Sequence, residues 1–264
     1  MKVNAFGVLL DIDGVLYVGD EAIEGAHEAL VELRRLGSVR LVTNTTSRSR
    51  REIFEHLREL GFEVELQEVL TPAAMALRHC RERGFESVAL LVSERLREDL
   101  SALERHELAG DGEARTDAVI LGDLGSGFTA DVLNGAFRQL MDGAELVALQ
   151  HNRYWLRADG LALDVGAYAA ALEYATGREA VVVGKPAQAF FDAAMADMGV
   201  DRAVMVGDDV EADVGGALAA GVPGVLVRTG KFREDALAAS GVTPTAIADS
   251  IADVPGLVGG LRDR

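Results

Sequence analysis

The stretch that decides the fold is Phe6-Gly-Val-Leu-Leu-Asp-Ile-Asp-Gly14. Five residues without a charge lead into two aspartates and a glycine, and an unbroken apolar run of this length is what a strand covered on both faces requires. Three other runs have the same form. Arg40-Leu-Val-Thr-Asn44 ends in Thr43 and Asn44, Val181-Val-Val-Gly-Lys-Pro186 in Lys185, and Val204-Met-Val-Gly-Asp-Asp-Val-Glu-Ala-Asp213 in Asp208, Asp209 and Asp213. Between them lie segments of helical period, such as Ala26 to Leu36 with Leu30, Leu33 and Leu36 on one face and Gly37 as its stop. A further helix starts where Ser49 and Glu52 form a capping-box pattern, and another where Thr71-Pro72 precedes an apolar stripe ending at Gly84. Strands that alternate with helices predict an α/β fold built on a parallel sheet.

In an open parallel sheet, ligands bind beyond the carboxyl ends of the strands, so these four polar endings are expected to converge. Asp11 and Asp13 are two apart, and an extended backbone would send both side chains the same way before Gly14 turns the chain. That pair suits a nucleophile and a proton donor. Several carboxylates in one cleft repel each other unless a divalent cation neutralises them, and hard oxygen ligands select magnesium. Asp11, Asp208 and a backbone carbonyl near Asp13 would suffice as its protein ligands. Each motif alone also has an ordinary structural reading: Asp-x-Asp as a turn, Gly207-Asp208-Asp209 as a helix cap, Lys185 as a surface lysine. Their joint occurrence behind successive core strands favours a site.

Charge narrows the partners. Forty-three acidic against 26 basic residues give a net charge of −17, whose field repels nucleic acid and anionic membrane surfaces. Cys80 is the single cysteine, which excludes an internal disulfide. The N-terminal apolar stretch is too short for a secretory signal, and the expected location is cytoplasmic. Gly122-Asp-Leu-Gly-Ser-Gly127 follows a strand but has neither a Rossmann nor a P-loop register, so it is expected to be a flexible loop. Asn152, Arg153, Tyr154, Trp155 and Arg157 surround the only tryptophan with polar groups, and are read either as a recognition edge or as an exposed alternating strand.

Taken together, DxDG, a threonine at the second strand end, a distant lysine and GDxxxxD resemble the haloacid dehalogenase-like hydrolase superfamily, most of whose members are phosphatases. DIDGVLYVGDEAIEGA, NRYWLRADGLALD and VRTGKF extend the likeness to the NagD-like branch, and in particular to the group of phospholysine/phosphohistidine inorganic pyrophosphate phosphatases and their paralogues. The resemblance implies a Rossmann-like core from residues 1–70 and 181–264, with an α/β cap from 71–180. It implies Asp11 as nucleophile, Asp13 as acid then base, and Thr43 with Asn44 and Lys185 holding the phosphoryl group. Magnesium would lie on Asp11, Asp13 and Asp208, with Asp209 and Asp213 behind them. Asn152, Arg153, Tyr154 and Trp155 would contact substrate. The expected activity is magnesium-dependent hydrolysis of a small phosphorylated substrate through an aspartyl-phosphate, with a homodimer through the cap as a further expectation. The alternative is a non-catalytic phosphoacceptor or magnesium-dependent binding module.

Overall fold

A computed structural model describes residues 6–106, 115–157 and 160–263. The chain divides into two compact units, one made of residues 1–43, 51–70 and 185–264 and the other of 44–50 and 71–184.

The first unit holds a six-stranded sheet in which every paired neighbour is parallel. Its strands, in spatial order, are Ala246–Ala248, Gly224–Val227, Arg202–Gly207, Phe6–Asp11, Ser38–Val42 and Val69–Leu70. Numbered along the chain within this unit, that is the doubly wound order 3-2-1-4-5-6 read from the other edge. The order reverses between Phe6–Asp11 and Arg202–Gly207, so a crevice opens at their carboxyl ends. All six residues of Phe6–Asp11 are buried, as a central strand under helices on both faces demands. Val8, Leu10 and Ile12 pack with Leu30 and Leu33 of the helix Ala26–Leu36 and with Val254 and Val258 of the C-terminal helix.

The second unit holds a five-stranded sheet, again parallel at every pairing, in the order Val181–Val182, Glu145–Ala148, Ala118–Leu121, Ser87–Leu91 and Glu104–His106. The Thr71 hydroxyl caps the helix Pro72–Arg83 by accepting from Ala74 N–H, and Gly84 ends that helix in the left-handed region. The core boundary expected at residue 181 is corrected here. Val181 and Val182 pair with Val147 and Ala148 of the inserted sheet, because an apolar run carries no mark of which sheet will accept it. Gly122 to Gly127, expected as a loop, contains a short 3-10 turn at Gly125–Gly127. Beyond the strand Arg202–Gly207 the chain forms a π-helical turn, Val210–Gly215, followed by the short helix Gly216–Ala219. No described helix is long and apolar enough to cross a membrane.

Candidate active site

Asp11 is the last residue of the central strand, and Lys185 reaches it from a segment 174 residues away, its Nζ donating to Asp11 Oδ1 at 2.5 Å. The same ammonium lies 2.7 Å from Asp213 Oδ1. All three side chains are buried. Burial alone would lower the lysine, but the flanking carboxylates of Asp11 and Asp213 reverse that and hold the ammonium well above the usual lysine range. A buried pair of this kind is stable only while both partners remain.

Asp208 follows directly on the neighbouring strand Arg202–Gly207. Its Oδ2 accepts the backbone N–H of Lys231 at 2.6 Å, while its buried Oδ1 accepts no hydrogen bond from the described residues. Carboxylate oxygens of Asp11, Asp208 and Asp213 lie within 4.8 Å of one another. Desolvation raises the carboxyls of Asp11 and Asp208 to about 6 and that of Asp213 to about 7. One lysine does not balance three carboxylates at this separation. An oxygen-rich pocket with an orphaned buried acceptor fits a hard divalent cation, with Asp11 and Asp208 as its carboxylate ligands.

Glycines make this crowding sterically feasible. Gly14 and Gly230 both have φ in the left-handed region, at 84° and 61°. A Cβ on Gly14 would stand 2.0 Å from Asp208 Oδ2, and one on Gly230 would stand 1.9 Å from the same atom and 2.5 Å from Gly14 Cα. Thr229 locks this contact by donating its hydroxyl to Gly14 O at 2.5 Å. A Cβ on Gly207 would likewise fall 2.2 Å from Asp213 Oδ2.

The sequence-predicted residues fare unequally. Asp11, Lys185, Asp208 and Asp213 come together as one buried group. Asp13 does not join it through its carboxylate: the strand ends at Asp11, so alternation does not extend to residue 13, and Asp13 is exposed. The buried acidic trio therefore contains Asp213 in place of the Asp13 side chain. Thr43 is buried just beyond the strand Ser38–Val42, its N–H donating to Leu70 O at 3.2 Å. Asn44 follows it in the chain and is grouped with the inserted unit. Asp209 caps the turn Val210–Gly215 through Glu211 N–H and Ala212 N–H, the ordinary structural reading for that position.

Within the inserted unit, Tyr154–Arg157 is a strand paired antiparallel with Gly160–Leu163, and Tyr154 is exposed. Arg153 sits 6.0 Å over the Tyr154 ring, and Asn152 N–H donates to Gln150 Oε1 at 2.5 Å. The side chains of Trp155 and Arg157 fall outside the described residues. Thr229, Gly230 and Lys231 lie just beyond the strand Gly224–Val227, within VRTGKF, and are the functional neighbours to which motif spacing gives no role, since they meet Gly14 and Asp208 only through the fold.

Comparison with known proteins identifies the family. Residues 8–105 match the haloacid dehalogenase-like hydrolase family, and residues 182–254 match a second profile described as HAD-hydrolase-like. The haloacid dehalogenase-like hydrolase domain-containing protein 2 of Rattus norvegicus is 42% identical over 229 residues, covering 86% of this chain and 85% of its own. The phospholysine phosphohistidine inorganic pyrophosphate phosphatase of Bos taurus is 42% identical over 236 residues, covering 86% and 84%. Among solved structures, the glycerol phosphate phosphatase of Mycobacterium tuberculosis in complex with magnesium superposes with a TM-score of 0.81 at 30% identity, covering 94% of this chain and 75% of that one. The chain belongs to the haloacid dehalogenase-like hydrolase family and is a hydrolase of its phosphatase type.

Proposed function

We propose that the protein is a magnesium-dependent phosphatase that hydrolyses a small phosphorylated compound through an aspartyl-phosphate on Asp11. The observation that carries this reading is the buried Asp11 carboxylate, gripped by Lys185 beside an Asp208 oxygen that has no hydrogen-bond partner among the described residues. Asp11 and Asp208, with a carbonyl near Asp13, would hold magnesium. Bound there, the ion supplies positive charge to the phosphoryl oxygens and keeps the carboxylates ionised.

The rest of the reaction is assigned to the chain's own side chains. Asp11 attacks phosphorus, forming a carboxylate oxygen–phosphorus bond as the bond to the leaving group breaks. Asp13, exposed to solvent, gives its proton to the departing oxygen or nitrogen. As a carboxylate it then takes a proton from water, which attacks phosphorus, frees Asp11 and releases inorganic phosphate. Lys185 neutralises the transferring group and Asp213 holds Lys185 in place, while Thr43 and Asn44 donate to phosphoryl oxygens. The names of the relatives span phosphoamidate, pyrophosphate and phosphoester, and that range supports a mechanism indifferent to the leaving atom.

Phosphate release from a panel of phosphoesters, phosphoamidates and pyrophosphate, with magnesium and with chelator, tests the reading. Repeated turnover that needs the metal and disappears in Asp11→Asn is the expected result. A single stoichiometric phosphorylation without turnover would identify the protein as a phosphoacceptor instead.

A further inference from the structure

The amino ends of the core strands carry a second feature. A cavity of about 820 Å³ opens there, and among its ten lining residues are four arginines, Arg34, Arg40, Arg202 and Arg262, against one acidic residue, Glu68. That composition inverts the balance of the whole chain, where acidic residues outnumber basic ones 43 to 26. The arginines come from four separate elements: the helix Ala26–Leu36, the strands Ser38–Val42 and Arg202–Gly207, and the helix Val254–Arg262. Their convergence is a property of the fold and not of a local basic run.

Three of these guanidinium groups have a carboxylate partner, and Arg202 has none among the described residues. Arg34 Nη2 donates to both carboxylate oxygens of Glu68, at 3.0 and 2.8 Å, and its Nη1 donates to Glu63 O at 2.7 Å. Arg40 Nε donates to Asp197 Oδ2 at 2.6 Å. Arg202 has no carboxylate partner among the described residues and donates only to Arg262 O and Leu261 O, at 3.4 and 3.3 Å, beyond the usual range for a good bond. Arg262 reaches Leu36 O at 3.4 Å and the adjacent, exposed Asp263 at 3.2 Å. The floor between them is closely packed: a Cβ on Gly37 would stand 2.2 Å from Phe6 O.

We propose that this cavity is a binding site for a small polyanion carrying two or more phosphate groups, separate from the catalytic carboxylates. Guanidinium forks match phosphate oxygens in pairs, and a volume of this size holds more than a single phosphate. Phe6 and Asp11 are the two ends of one strand, which sets the two sites roughly 17 Å apart at the ordinary strand rise.

Isothermal titration with methylenebisphosphonate, a diphosphate that cannot be hydrolysed, tests this at low salt with chelator present. Saturable binding to the wild-type protein should persist in Asp11→Asn and weaken by about tenfold or more in Arg202→Gln, since a charge-assisted contact is lost. Turnover of p-nitrophenyl phosphate and the ligand-free Tm should not change in Arg202→Gln. Should that variant fold poorly, Arg262→Glu places an opposing charge on an exposed position and should abolish binding. Absence of saturable binding, or binding lost in Asp11→Asn and untouched by both arginine variants, would overturn the proposal.

Discussion

Two parallel sheets in this chain each have a point where the strand order reverses. In the core it lies between Asp11 and Gly207, and in the inserted unit between Leu91 and Leu121. By topology alone both are ligand crevices. Their chemistry differs. Asp208, next to the core reversal, has a buried oxygen without a hydrogen bond from the described residues, and Asp11 and Asp213 stand beside it. In the inserted unit the half-buried Asp164 accepts from Val165 N–H at 2.8 Å and from Gln150 Nε2 at 2.5 Å, capping the helix Val165–Thr176. The core carboxylates keep an acceptor open to a cation, and the single carboxylate of Asp164 is already satisfied by the protein. Polar satisfaction, and not sheet topology, distinguishes the carboxylates of the two units.

The strongest way to break the contrast is to remove Lys185. Lys185→Met leaves Asp11 and Asp213 buried without their cation, so kcat should fall by about a thousandfold or more, and the metal-free protein should lose about 3–5 kcal/mol of stability. Denaturant melts and steady-state assays on the same preparation check both. Near-normal turnover would reduce Lys185 to a structural ion pair. Gly230→Ala should come next. Its φ of 61° costs about 1–2 kcal/mol for any side chain, and the new Cβ displaces either Asp208 or Gly14. Metal affinity should weaken more than the Tm falls, as titration calorimetry with magnesium would report.

Acidity sharpens the comparison further. Burial holds the folded-state values of Asp11 and Asp208 at about 6 and of Asp213 at about 7, above their ordinary 3.8. Without metal, the folded protein then binds more protons than the unfolded chain between about pH 4 and 7. The cluster's contribution is therefore fully favourable below pH 4 and is lost as pH rises through 6 to 7. In chelator, Asp208→Asn should gain Tm relative to wild type across that window. Magnesium should raise the wild-type Tm more at pH 8 than at pH 5, because protons and metal compete for the same oxygens. A flat difference would mean that the three carboxylates titrate normally. The smallest effect belongs to the inserted unit. Asp164→Asn keeps the helix cap, so it should cost less than about 1 kcal/mol in a thermal melt, and it leaves the buried acidic trio intact.

Much of this is readable from the chain because buried parallel strands write themselves as apolar runs and place their last residues at one edge. Asp11, Thr43 and Asp208 are legible for that reason, whereas Lys185 follows a run that joins the inserted sheet and is legible only from its place in Val181-Val-Val-Gly-Lys-Pro186. Asp13 is legible only in part, since period-two alternation applies only while the strand lasts, and it ends at Asp11. The apolar run Val181–Val183 shows that a strand is coming and says nothing about which sheet will pair with it. Gly230 is invisible to spacing, because its meaning comes from the backbone of Gly14, distant in sequence. The arginine cavity is assembled from four elements, so only the folded chain brings it together.

The most direct measurement is the covalent state of Asp11 during turnover. The Asp13→Asn protein, mixed with magnesium and a reactive phosphoester and quenched in acid within its first turnover, should carry one phosphoryl group, located by mass spectrometry in the peptide containing Asp11. Asp11→Asn should carry none. A wild-type protein that turns over while Asp13→Asn never accumulates label, or a label on any other residue, would contradict Asp11 as the nucleophile.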